Sequence, residues 1–134
     1  MVTREMDEAF KVYGESDVTS FYRTVDWEYM KNIYGLTRNN IDKFIGKTFI
    51  NRGYMSTSKD FISPWGNNWN KWELVIHITG DTTYIDVNKL FKPEEIDCEE
   101  QNELILPRNT ILRLESYRFV RNKEKTYLLE MSII

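Results

Sequence analysis

Apolar residues in this chain recur first at helical spacing and later in alternation, an order that restricts it to folds in which short helices precede a strand-rich half. Residues 4–13 read as a short helix, and 18–23 as a strand, because β-branched and aromatic side chains dominate that segment. Asp26 can cap a second helix, in which Trp27, Met30, Ile33 and Tyr34 recur at helical spacing and which Gly35 closes. Asn39 or Asn40 can start a third helix that ends at Gly46. Residues 59–71 read as an irregular loop, with Pro64, Gly66, Asn67, Asn68 and Asn70 lying among tryptophans. Residues 74–78 and 82–87 are expected strands on either side of Gly80-Asp81, and 91–101 is an expected acidic loop. Residues 103–106, 109–120 and 126–134 supply further strands, the last two joined as a hairpin through 121–124. The expected architecture is α+β: short N-terminal helices and two packed, mainly antiparallel β-sheets, or one sheet bent strongly enough to serve as two.

The chain of 134 residues suits a single domain spanning 1–134, large enough to bury about two thirds of its unfolded surface. No internal repeat, low-complexity tract or linker divides it. Trp27, Trp65, Trp69 and Trp72 stand among many Tyr and Phe, a composition that can build a core. The net charge of -3 is made of interspersed signs, so no basic field draws the chain to nucleic acid or to an anionic membrane. Cys98 is the only cysteine, which excludes an intrachain disulfide and suits a reducing compartment. The first residues hold no apolar signal-peptide core, and no later stretch is long enough to span a bilayer as a helix. Action in a cytoplasm is therefore expected.

Several chemistries are poorly supported. His77 is the only histidine and alternates within Leu74-Val75-Ile76-His77-Ile78, which reads as a packed strand residue. One histidine and one cysteine support neither a zinc site nor a serine or cysteine triad, so no metal is expected. The six glycines form neither a dinucleotide-binding GxGxxG nor a P-loop. Arg118, Arg121, Lys123 and Lys125 read as a solvated hairpin.

Three short segments carry more information, in this order: the aromatic-arginine pair in Ser20-Phe21-Tyr22-Arg23-Thr24, the hydroxyl triplet in Arg52-Gly53-Tyr54-Met55-Ser56-Thr57-Ser58, and Gln101-Asn102-Glu103-Leu104-Ile105-Leu106-Pro107-Arg108. Each has an ordinary reading when taken alone. Arg23 would be a solvated strand arginine, Ser56-Thr57-Ser58 a helix cap, Gln101 a loop residue, and Glu103 a charge that guards an apolar edge run. Together they resemble the arginine, Ser-Thr-Ser and Gln-x-Glu motifs of the bacterial and phage mono-ADP-ribosyltransferase exoenzymes. That family includes the Rho-modifying clostridial exoenzymes and the actin-modifying binary toxins. The match runs from about Asp17 to the end of the chain and includes Ile45-Gly46-Lys47-Thr48-Phe49 and Thr83-Tyr84-Ile85-Asp86.

The resemblance implies an enzyme that uses NAD as co-substrate, breaks its nicotinamide-ribose bond and transfers ADP-ribose to a macromolecule. Such chemistry passes through an oxocarbenium-like centre, so it needs a carboxylate beside the ribose and a cation for the diphosphate. By the resemblance, Glu103 is the catalytic carboxylate and Ser56 orients it. Arg23 holds NAD phosphate, and Tyr22 just before it joins Ser56, Thr57 and Ser58 in the NAD-binding set, in which Thr57 and Ser58 also brace the strand and its exit. Lys71, with Trp65 and Trp69, falls where the family clamps phosphate and nicotinamide, although the usual arginine is not evident there. Gln101 bears on the acceptor. Family members that modify arginine generally carry glutamate at that position, so glutamine implies a non-arginine acceptor, either asparagine or another amide or, as in the guanine-modifying relatives, a nucleobase; the net charge favours a protein acceptor over a nucleic acid. The loop over 91–102 would recognise that acceptor.

Family domains usually place several helices ahead of the arginine strand. About seventeen residues precede it here, which implies a compact variant or a piece of a longer polypeptide. Two alternatives keep the same fold: a non-catalytic or virion-associated interaction module, and an NAD glycohydrolase that transfers to water.

Overall fold

The computed structural model describes residues 3–59, 74–90, 103–119 and 127–134. Helix α1 (Thr3–Tyr13) leads into strand β1 (Ser20–Val25), followed by α2 (Trp27–Tyr34) and the short α3 (Ile41–Phe44). Strands β2 (Thr48–Asn51), β3 (Met55–Ser58), β4 (Leu74–Thr79) and β5 (Ile85–Asp86) follow. The chain continues through α4 (Val87–Leu90), β6 (Glu103–Leu106), β7 (Thr110–Phe119) and β8 (Tyr127–Ile133).

Local chemistry accounts for these boundaries. Asp26 caps α2, its Oδ1 accepting the Tyr29 N–H at 2.8 Å. Gly35 ends that helix at φ 69°, a left-handed conformation open to glycine at little cost, and its N–H returns to the Lys31 carbonyl at 2.9 Å. The third helix is shorter than its flanking asparagines predict. The Asn40 side chain does not cap it, but instead accepts from the Thr37 N–H and donates to the Gly35 carbonyl. The strand expected over 82–87 also breaks up. Tyr84 exchanges backbone hydrogen bonds with Glu15, only Ile85–Asp86 pairs with β6, and Asp86 Oδ1 accepts the Asn88 N–H at the start of α4. A carboxylate that caps a helical turn competes with strand extension. The Ser-Thr-Ser triplet lies on strand β3.

The strands form one hydrogen-bonded order, β2-β7-β8-β4-β1-β3-β6-β5, in a mixed and mostly antiparallel sheet. Its exception is the parallel pair β4 and β8. Six residue pairs register β1 against β4, whereas a single pair, Tyr22 with Ser58, registers β1 against β3. The sheet therefore divides at β1–β3 into two parts joined by a thin seam, a form that combines the two-sheet and bent-sheet expectations. The expected pairing of the last two strands is present between β7 and β8, with a bulge between Leu114 and Ser116. The segment joining those two strands lies outside the described residues.

Phe21, Met30, Leu36, Ile41, Met55, Leu74, Ile76, Ile78, Leu104, Leu106, Leu112, Leu114, Leu129 and Met131 make up most of one buried cluster. Along β1, Phe21 and Val25 are buried while Ser20, Tyr22, Arg23 and Thr24 are partly exposed. The core thus takes one side of the strand and leaves the other for polar groups. Among the described residues, no helix is long and apolar enough to cross a membrane.

Candidate active site

Strand register assembles the sequence motifs. Glu103 on β6 stands directly opposite Ser58 on β3, and Ser58 stands opposite Tyr22 on β1. Side chains two apart share a side of a strand, so Ser56 lies beside Ser58 on the side that carries Glu103. Its hydroxyl donates a short hydrogen bond to Glu103 Oε2. The bond holds the carboxylate on a rigid strand while leaving its other oxygen available to a ligand.

Thr57 turns the opposite way. It is buried, and its Oγ1 donates to the Leu104 carbonyl at 2.6 Å, so within the triplet this hydroxyl locks β3 to β6. Ser58 is also buried. Tyr22 stacks on His77 of β4, with ring centroids 4.5 Å apart and planes 7° apart. Arg23 alternates away from Tyr22 and shares the side of β1 that carries Phe21 and Val25. Its guanidinium carbon lies 4.9 Å from the centroid of the Tyr29 ring on α2, a cation–π contact. Glu103, Ser58 and Tyr22 therefore form one row with Ser56 on the same side of the sheet, and Arg23 approaches from the other side of its strand. Gln101, Lys71, Trp65, Trp69 and the expected acceptor loop lie outside the described residues.

Two supports of this site were not anticipated from the sequence. Asp7 on α1 accepts the Tyr54 hydroxyl at 2.6 Å and both Nε and Nη2 of Arg108, the latter at 2.8 Å. The Arg108 guanidinium foremost, and then the Tyr54 hydroxyl, hold the Asp7 carboxyl below its ordinary value. Phe10 stacks on Tyr54 at 5.9 Å. Helix α1 is thereby clamped just ahead of β3 and just beyond β6, the two strands that carry Ser56 and Glu103. At the other approach, the Tyr34 hydroxyl donates to buried Asn51 at 2.8 Å, and Asn51 in turn donates to the Gly53 carbonyl. Burial foremost pushes the Tyr34 hydroxyl up to about 12.

His77 is a packed strand residue, as its alternation predicts, but it is also hydrogen-bonded at both ring nitrogens. Ser20 Oγ lies 2.7 Å from Nε2 and Glu130 Oε2 lies 2.7 Å from Nδ1. Serine, histidine and glutamate thus do meet, on three neighbouring strands, although sequence reasoning saw no basis for such an arrangement. Only the cross-strand register reveals it. Among the described residues no group of three or more His, Cys, Asp and Glu side chains is placed to hold a metal ion.

Comparison with known proteins gives the class of protein to which this mixed sheet belongs, with its serine-oriented glutamate two strands away from the aromatic-arginine strand. The family model for the ADP-ribosyltransferase exoenzyme matches residues 2–133, so this chain belongs to that family and is by class an NAD-dependent ADP-ribosyltransferase. No curated protein sequence matches it. Among solved structures, the C3 exoenzyme of Clostridium limosum superposes with a TM-score of 0.72 at 17% identity, over 98% of this chain and 67% of that one. The C3larvin toxin of Paenibacillus larvae gives 0.68 at 23% identity, covering 98% and 69%. C3stau2 from S. aureus, solved with NAD, gives 0.70 at 16% identity, again covering 98% and 69%.

Proposed function

We propose that residues 1–134 act as one mono-ADP-ribosyltransferase domain, which cleaves NAD at the nicotinamide-ribose bond and passes ADP-ribose to a non-arginine residue of a protein. The hydrogen bond from Ser56 to Glu103 carries this reading. An oxocarbenium-like centre needs a carboxylate whose position is set before the reaction begins, because reorientation during the reaction would forfeit part of its electrostatic stabilisation. Glu103 binds the ribose hydroxyl and stabilises the developing cation, Ser56 orients it, and Tyr22 and Ser58 line the same row. Arg23 pairs with the diphosphate through its planar fork, leaving the Tyr29 ring to do so. Lys71 adds a second cation to the phosphates. C3stau2, solved with NAD, supports the dinucleotide as the ligand.

The acceptor assignment rests on Gln101. An arginine acceptor is a cation best met by a carboxylate, whereas a neutral amide is matched by the donor and acceptor of a glutamine side chain. Gln101→Glu is expected to weaken modification of the natural target while leaving nicotinamide release intact. Mass spectrometry that maps the natural ADP-ribose to arginine would overturn the acceptor assignment alone.

Incubation with labelled NAD and host lysate, followed by release and transfer assays, tests the reaction. Glu103→Gln is expected to lower turnover about 100- to 1,000-fold with an unchanged circular dichroism spectrum. Turnover within a few-fold of the unaltered protein would remove the catalytic role. Nicotinamide release without labelled protein would make the chain a glycohydrolase, and release of neither product would make it a non-catalytic module.

A further inference from the structure

We propose that His77 is a positioning residue of this site, acting through Tyr22; the inference rests on the NAD-binding reading of Tyr22. The row that carries Glu103 does not end at Tyr22. It runs from Glu103 to Ser58, Tyr22, His77 and Glu130, each directly opposite the last across β6, β3, β1, β4 and β8. Tyr22 is therefore held between the Ser-Thr-Ser strand on one side and the His77 ring on the other.

That ring is fixed at both ends. A carboxylate can only accept, so Nδ1 carries a proton and donates to Glu130, while Nε2 is hydrogen-bonded to the Ser20 hydroxyl. Rotation of the imidazole would break one of these bonds or both. A single anchor would allow the ring to swing, but two leave only the plane on which Tyr22 is stacked. Packing alone does not account for this choice of residues. Val75, two positions earlier on β4, is buried, and a half-buried histidine-carboxylate pair is often matched or exceeded in stability by apolar side chains of similar volume. What the pair adds is a defined plane. Tyr22 immediately precedes Arg23 on β1, so the fixed ring stands beside the backbone that presents the arginine.

The test is a double-mutant cycle read by calorimetric NAD affinity and by steady-state nicotinamide release. Tyr22→Ala and His77→Ala are each expected to weaken NAD binding about tenfold and to raise KM, with kcat at saturating NAD within about threefold. The double variant should be no weaker than either single one, because His77 acts only through the tyrosine. His77→Phe, which retains a flat ring without its anchors, should restore part of the loss. Additive effects, a fall in kcat at constant KM, or unchanged affinity in folded His77→Ala would each overturn the inference. If His77→Ala does not fold, Ser20→Ala and Glu130→Gln replace it, since each removes or weakens one anchor and keeps the ring. Both are expected to weaken NAD binding about threefold, and unchanged affinity in both would overturn the inference. If the unaltered protein binds no NAD, the functional reading falls and this inference with it. If it binds NAD while the cycle is additive, only the inference falls.

Discussion

The two sides of β1 solve different problems with alternating residues of one six-residue strand. Phe21 and Val25 enter the hydrophobic cluster, where position is set by close packing with many neighbours. Ser20 and Tyr22 enter a polar row, where position is set by a few directed contacts to His77. Packing on the first side tolerates apolar exchanges that conserve volume, whereas the second tolerates little change in hydrogen-bonding geometry. Arg23 does not fit this division. It stands on the core side of the strand, yet its charged head rests on the Tyr29 ring at the rim. A long side chain can bury its stem while its head stays at the surface.

The sharpest way to break the comparison is Phe21→Ala. Phe21 is fully buried and meets Tyr84 edge-on at 5.8 Å, so its truncation should cost about 3–5 kcal/mol of unfolding free energy in a denaturant titration. A loss below about 1 kcal/mol would mean that the core side of β1 is not what holds the strand. Ser56→Ala, on the polar side, should leave stability within about 0.5 kcal/mol and reduce kcat about 10- to 100-fold, because a hydrogen bond to a charged group is removed. If NAD affinity falls instead of kcat, the triplet is structural and the two sides differ less than proposed. Arg23→Lys keeps the charge but loses the fork, so NAD affinity should fall about three- to tenfold by calorimetry. Unchanged affinity would return Arg23 to a purely packing role on Tyr29.

The smallest effect is alkaline. Burial raises the Tyr34 hydroxyl to about 12, above its ordinary value of 10.0. The unfolded chain therefore loses this proton first as pH rises, and stability should decline from about pH 10 until the folded-state value is passed. Tyr34→Phe should flatten that decline in chemical-denaturation curves taken between pH 9 and pH 12, at the cost of the hydrogen bond to Asn51. An unaltered slope would show that Tyr34 ionises alike in the folded and unfolded chain.

Much of the fold was legible because its signals are local. Asp26 and Gly35 bracket α2 as capping chemistry requires, and the short apolar runs along 74–78 and 103–106 mark two strands. The short β2 was not marked, since Thr48–Asn51 gives only two turns of alternation before Arg52-Gly53. The helical turn after Asp86 was missed for a different reason. Its β-branched approach, Thr82-Thr83-Tyr84-Ile85, has strand propensity until one carboxylate redirects the backbone.

Residue identity alone determined that this chain carries an arginine strand, a hydroxyl triplet and a glutamate before an apolar run, because covalent order and side-chain chemistry are written directly in it. Tertiary structure decided which of these groups meet. It placed Ser56 on Glu103, turned Thr57 inward to Leu104, and sent Arg23 to the other side of its strand. It also extended the row to His77 and Glu130, residues 53 positions apart in the chain. The physical reason is register: a one-residue slip between β1 and β4, or between β3 and β6, would reverse every facing side chain without altering the local pattern of either strand. Register is chosen by the burial of both strands at once, a property that no single segment contains.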